Sequence, residues 1–253
     1  MDALEECHRH LGKLLGPGAE PIEVLRRAEE HRAYWRPDRV RVILLAESHV
    51  YTTALELERQ VVLPEGIESN VPRGFVRLVY CLGYGENRLL DRPITAPPNS
   101  GTPQFWKIFY SCVNRVRTNE DFASLQSQVP LRVRVRNKLA LLQRLKELGV
   151  WLVDTSLAAL YLPGQPKPAP VLLEAALRTS WDAYVGPVVK AAGPSHIVCI
   201  GKGVERSLGN RLYRAGVPVT VVPQPNARLS SAEHFGVFQQ YYEIVQRALE
   251  HTP

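Results

Sequence analysis

Four short apolar runs constrain this chain more than anything else in it. Val42–Ala46, Val150–Val153, His196–Ile200 and Val217–Val222 are rich in branched residues and short enough to read as buried strands. Each stops at polar or turn residues. The first gives way to Glu47-Ser48-His49, the second to Asp154-Thr155-Ser156, the third to Gly201-Lys202-Gly203 and the fourth to Pro223-Gln224-Pro225-Asn226. Helical stretches lie between them. Leu139, Leu142, Leu145 and Leu148 mark an amphipathic helix over Arg132–Leu148 that Gly149 ends. Val171–Ala192 reads as a helix kinked near Gly186-Pro187, and Val204–Ala215 as another. Strand and helix in alternation predict a parallel sheet with helices on both faces, an α/β fold of three layers, α/β/α, with four strands.

The remaining segments fit around that core. Residues 1–36 read as an N-terminal helical extension packed on the domain: one helix over Asp2–Leu15, a stop at Gly16-Pro17-Gly18, and a second helix over Pro21–Tyr34. Thr53–Val62 reads as a short helix and Pro64–Arg73 as a loop. Gly74–Gly83 is strand or buried loop, and Arg88–Gly101 is irregular. Pro103 suits the first turn of a helix running to Val113. Ser231 is expected to cap a final helix to Leu249, with Glu233 completing a capping box. No stretch has the composition of a flexible linker, so residues 1–253 read as a single domain.

Lys and Arg number 31 against 25 Asp and Glu, and the net charge of +6 leans towards an anionic partner or a mildly basic enzyme. No apolar run approaches the length of about eighteen residues that a membrane-spanning helix needs. The first residues lack the plan of a signal peptide. A cytoplasmic (nucleoid-associated) or nuclear, monomeric protein with no membrane contact is the expectation. Cys7, Cys81, Cys112 and Cys199 lie far apart, with neither zinc nor redox spacing. No metal, cofactor or iron–sulfur cluster is expected.

If the sheet is parallel, all four polar strand ends open on one edge, where open α/β sheets bind ligands. Glu47 and Asp154 are then two carboxylates facing one crevice, whose environments can give them different roles. Each also has a plain reading, Glu47 as a capping or salt-bridged acid and Asp154 as a helix cap. Gly201-Lys202-Gly203 is a tight turn, either able to hold an anion or simply joining strand to helix. It is not a Walker loop. The dinucleotide G-x-G-x-x-G and the hydrolase G-x-S-x-G are missing. Arg132, Arg134, Arg136 and Lys138 read as a solvated basic helix face, with phosphate contact as the alternative.

The order of these motifs resembles the uracil-DNA glycosylase superfamily, over roughly Arg41 to Leu249. The family's first motif, a strand followed by Gly-Gln-Asp-Pro-Tyr, Gly-Glu-Ala-Pro-Gly or Gly-Met-Asn-Pro-Gly, is matched by Ala46-Glu47-Ser48-His49. Its middle motif, Leu-Leu-Leu-Asn, is matched by Trp151-Leu152-Val153-Asp154. Its last, His-Pro-Ser-x-x-Ser, is matched by Gln224-Pro225-Asn226-Ala227-Arg228-Leu229-Ser230. Gly101–Trp106 looks like the helix start that holds a DNA phosphate in the family, through Thr102.

The resemblance implies a flipped-base pocket and hydrolysis of the bond between a damaged or deaminated base and deoxyribose in DNA. It implies Glu47, Asp154 and Gln224 as catalytic residues and Ser48, His49, Tyr80 and Asn226 as substrate-binding residues. Lys202, Arg228 and Ser230 would join Thr102 on DNA, with Leu229 as the wedge that fills the gap left by a flipped base. Tyr80 or Phe75 would stack on the base; core packing is the alternative for both. The sequence also departs from the pattern. Ser48 stands where many members have Asp, Gln224 where they have His, and Asp154 where they have Asn. An ionised Asp154 offers only acceptors, which disfavours a uracil carbonyl; a protonated Asp154 would restore the amide pattern. A member that has kept the fold, lost the chemistry and binds nucleic acid or a nucleotide is the rival expectation.

Overall fold

The computed structural model describes residues 2–94 and 102–250 and, of Thr102, the backbone alone. Its centre is a sheet of four parallel strands, β1 (Val42–Ser48), β2 (Val150–Ser156), β3 (His196–Ile200) and β4 (Val219–Val222), in the order β2-β1-β3-β4. All four expected strands are present. β1 runs two residues past its apolar stretch because Ala46 and Ser48 keep pairing with Asp154 and Ser156 of β2. Glu47 and Ser48 therefore belong to the strand's last turn of pleat and are fixed by the sheet.

Helices cover both faces, which makes the molecule a three-layer α/β/α fold. From β1 the chain crosses to β2 through α4 (Thr102–Val113) and α5 (Leu131–Leu148). It returns past β1 to β3 through α6 (Pro170–Ser180) and α7 (Gly186–Ala192). It then moves on to β4 through α8 (Lys202–Leu208) and α9 (Asn210–Tyr213). The last helix, α10 (Ser231–Glu250), packs on α4 and on β1 and β3. Crossovers of one hand place their helices on opposite faces when the chain reverses direction, so α4, α5 and α10 share one face and α6 and α8 the other. The reversal occurs between β1 and β3. The carboxyl ends of those two strands diverge there and leave a crevice.

The N-terminal pair, α1 (Ala3–Leu15) and α2 (Ile22–Tyr34), is built into the fold. α1 lies against α6 with Cys7 and Leu11 fully buried, and α2 buries Val24, Leu25 and Ala28. The Trp151 indole of β2 donates to the Arg32 carbonyl at 3.0 Å. The outer edge of β2 is covered as well, since Leu152 N–H donates to the Tyr80 hydroxyl at 2.7 Å.

Several expectations need adjustment. The expected helix from Thr53 is one turn, α3 (Ala54–Leu57), closed by a Thr53–Glu56 capping box. Gly74–Gly83 is buried loop, not strand. The long helix after Pro170 holds a π-helical turn at Trp181–Val185 directly before Gly186-Pro187, where proline lacks the N–H that regular pairing needs. The expected Val204–Ala215 helix is split at Gly209, whose φ of 51° and ψ of −131° only glycine adopts easily. Ser230, one residue earlier than expected, caps α10: Glu233 N–H donates to its hydroxyl at 3.3 Å and its own N–H donates to the Glu233 carboxylate at 2.7 Å. The irregular stretch Arg88–Gly101 lies partly outside the described residues.

Candidate active site

The crevice at the reversal point has a volume of about 400 Å³. β1 supplies Ala46, Glu47 and Ser48, β3 supplies Ile200, and the turn after β4 supplies Gln224, Pro225 and Asn226. Gln104 and Phe105 from the first turn of α4 close it from above. Sequence reasoning assigned Glu47, Ser48, Gln224 and Asn226 to one site, and the fold brings these four together. Glycine at 201 is part of the design. Its φ is 109°, and a Cβ there would stand 2.8 Å from Gln224 Cγ.

Glu47 is half-buried, and the Tyr161 hydroxyl donates to its Oε2 at 3.0 Å. Burial, the Glu47 charge and this bond push the Tyr161 pKa well above the usual phenol range. The phenol keeps its proton and serves as a fixed donor. A groove of about 590 Å³ runs outward from Glu47 and Tyr161 past Lys167, Lys202 and Arg206. Leu229 borders this groove and is half-buried; Arg228 is exposed beside it. The Ser230 side chain is engaged with Glu233 at 2.7 Å as a helix cap, a role that competes with phosphate binding.

Behind Ser48 and Phe105 lies a smaller, largely apolar pocket of about 80 Å³, walled by His49, Leu152, Asp154, Arg77, Val79 and Tyr84 among others. Ser48 and Phe105 border both spaces, so the small pocket adjoins the crevice. Asp154 is 3% exposed and pairs with the fully buried Arg32 guanidinium. Arg32 also pairs with Glu29, which accepts from the Tyr184 hydroxyl at 3.0 Å. Burial alone would lower the Arg32 pKa, but the two carboxylates more than offset it and raise it above its ordinary value. Arg32 is thus a permanent cation held against Asp154 and Glu29.

His49 is equally enclosed. Its Nε2 lies 2.9 Å from Glu20 Oε2. Glu20, in the turn between α1 and α2, also accepts from the backbone N–H groups of Thr52 at 2.6 Å and Ala159 at 2.8 Å. Arg77 spends Nε and Nη2 on Glu56, at 3.1 and 2.6 Å, and Glu56 is held below the usual carboxylate pKa by Arg77 and the Thr53 cap despite its burial.

Two expectations are corrected here. Tyr80 is 3% exposed, stacked on Phe109 and bonded to β2, so it supports the sheet edge and is not free to stack on a base; Phe75 is fully buried. The basic run on α5 is not a solvated face. Arg132 and Arg136 are exposed, but Arg134 and Lys138 turn inward onto Glu86 at 2.6 and 2.7 Å. The side chain of Thr102 lies outside the described residues.

Glu20, Arg32, Tyr161 and Phe105 were missed as site residues. None sits at a strand end, and Glu20 and Arg32 come from the N-terminal segment that reads as an appendage. His8 Nε2 lies 2.8 Å from the Glu20 carbonyl and ties α1 to that turn. Among the described residues no group of three or more His, Cys, Asp and Glu is placed to hold a metal ion, and no helix is long and apolar enough to cross a membrane. All four cysteines are buried free thiols. Comparison with protein-family models gives no match, and comparison with curated proteins gives none either.

Proposed function

We propose that this chain is a monofunctional DNA glycosylase that hydrolyses the bond between a damaged or deaminated base and its deoxyribose. The observation that carries the proposal is the pairing of an oriented carboxylate with an adjoining small, largely apolar pocket at one edge of the sheet. A flipped base entering past Phe105 into the 80 Å³ pocket leaves its sugar in the crevice, beside Glu47. Bond breaking develops positive charge on the sugar. The Glu47 carboxylate, fixed by Tyr161, steadies that charge or takes the proton from the attacking water. Gln224 offers an amide donor in the same crevice but cannot carry a positive charge. Asp154, engaged by Arg32, is poorly placed to accept a proton and acts in this reading as part of the wall that reads the base. Lys167, Lys202 and Arg206 give the groove the charge a phosphodiester backbone requires.

The second reading, a nucleic-acid binder without turnover, is favoured by Ser48 and Gln224 standing where the resembled family carries Asp and His. Base release from single- and double-stranded oligonucleotides carrying uracil, hypoxanthine, xanthine or modified pyrimidines separates the two. Release, detected by alkaline cleavage at the abasic site, is the expected result. Salt-sensitive DNA binding without release of any base would favour the second reading.

A further inference from the structure

Three spaces meet at Gln224. One is the crevice beside Glu47, and one is the groove that carries Lys167, Lys202 and Arg206. The third, of about 250 Å³, lies between α4, α10 and the turn after β4. It shares Gln104, Gln224 and Pro225 with the crevice, and Leu229 with the basic groove. The turn from Pro223 to Leu229 is therefore a ridge with a groove on each side. A strand seated in the crevice has both grooves within reach of its neighbouring residues.

The two grooves differ in chemistry. Three basic side chains mark the first, whereas the third space is aromatic and rich in amides. Phe235 and Phe238 line it, each half-buried. Phe238 packs edge to face on Phe235 at 6.2 Å and on Phe122 at 5.3 Å between ring centres, so a row of rings holds it in place. Polar groups come from the amides of Gln104, Asn119 and Gln224, from Ser231 and His234, and from Lys107. No Asp or Glu is found among the described residues that line it. Lys107 Nζ donates to Asn119 Oδ1 at 3.3 Å and has further hydrogens for an anion.

This combination suits a nucleobase with its phosphate. A ring face stacks on any base, an amide offers a donor and an acceptor to a base edge, and a lysine meets the phosphate. A base in a duplex is already stacked and paired, so only an unpaired base is free to enter. Resting on the reading of the crevice as the seat of a flipped nucleotide, we infer that the groove between α4 and α10 is a second base site. It takes the unpaired base of the nucleotide next to the flipped one, with Phe235 as the stacking face. It makes an unpaired strand the preferred ligand.

Fluorescence anisotropy with the intact chain tests this. The probes are single-stranded oligodeoxynucleotides with a tetrahydrofuran abasic analogue at the centre, in which the base on its 5′ side, its 3′ side or neither is also removed. Removal on one side is expected to weaken binding at least about fivefold, the low end of what stacking one base on an aromatic ring contributes, and removal on the other side to change it less than about twofold. The sensitivity should vanish in Phe235→Ala and return in Phe235→Trp. In a duplex of the same sequence, an abasic residue opposite that neighbour keeps the charge and frees the base. It is expected to strengthen binding to wild type and not to Phe235→Ala. The inference is overturned by equal sensitivity to the two neighbours, by sensitivity to neither, by an unchanged pattern in a folded Phe235→Ala protein, or by failure to bind any of the strands. If that variant does not fold, the wild-type comparison of the two neighbours decides. Base release without dependence on a neighbour sinks this inference and leaves the glycosylase reading standing. Dependence on one neighbour in a chain that releases no base does the reverse.

Discussion

His31 and Arg32 are neighbours in α2, and both are buried for the sake of groups far along the chain. Arg32 reaches Asp154, while His31 Nε2 donates to the Gly74 carbonyl at 2.8 Å and holds the buried loop in place. Burial lowers the His31 pKa from 6.5 to about 4, opposed by the Gly74 bond and reinforced by Arg27. The unfolded chain therefore binds a proton that the folded one refuses between those values. His31 stability is complete above pH 6.5 and is lost as pH falls towards 4. Between about pH 7 and pH 5 the loss should amount to about 2 kcal/mol, while ordinary carboxylates stay largely ionised. Urea unfolding of wild type and His31→Gln at both pH values checks this: the variant should lose that much less on acidification. Equal losses would contradict it. At this scale Glu47, Gln224 and Asp154 were legible because strand ends expose polar residues in a predictable place. Glu20 and Arg32 were not, because a buried charge is defined by partners distant in the sequence (His49, Thr52 and Ala159 for the one, Asp154 for the other), and no local pattern encodes them.

At the scale of elements, α5 shows how periodicity can be right about a helix and silent about its faces. Its leucines announced the helix, and the alternation of Arg132, Arg134, Arg136 and Lys138 read as solvated charge. In the fold Glu86 accepts from Arg134 through both carboxylate oxygens, at 2.6 and 2.7 Å, and from Lys138 at 2.7 Å. Lys138 also lies 4.8 Å from the centre of the Trp106 ring in α4. The cluster ties α5 and α4 to the loop after Gly83, and so supports the turn of α4 that carries Gln104 and Phe105. Glu86→Gln would leave two buried cations against a neutral amide, and is expected to cost about 3 kcal/mol or more in urea unfolding. Arg132→Ala, on the exposed face, should change stability by no more than about 0.5 kcal/mol. Similar costs for both would mean that the inward cluster contributes nothing. The strand sequence was more transparent than the helices, because strands buried on both faces announce themselves as continuous apolar runs. The split at Gly209 and the π-helical turn before Gly186 depend on backbone geometry that side-chain periodicity does not report.

For the whole molecule, the sequence made the sheet, its parallel sense and the edge that carries the site readable. It did not make the role of residues 1–36 readable. The two N-terminal helices place Glu20 against His49 and Arg32 against Asp154, and they bury Leu11, Val24, Leu25 and Ala28. Removing them strips both groups of the small pocket of their partners and uncovers a face of α6. A chain starting at Pro37 is expected to lose its cooperative thermal transition; unfolding as sharp as that of the full chain would show that the extension is an accessory. The net charge of +6 belongs to this scale too, since its effect on an anionic strand is summed over the surface and fades with salt.

In the proposed glycosylase, Glu47, fixed by Tyr161 at the divergence of β1 and β3, performs the chemistry on a nucleotide whose base is held next door. Single-turnover release of the preferred base by wild type and by Glu47→Gln tests it most directly. The amide keeps the shape of the side chain and an acceptor for Tyr161, but it removes the charge. A fall in rate of at least about a hundredfold, with DNA binding and thermal stability retained, is the expected result. Release at the wild-type rate from the Glu47→Gln protein would contradict the account.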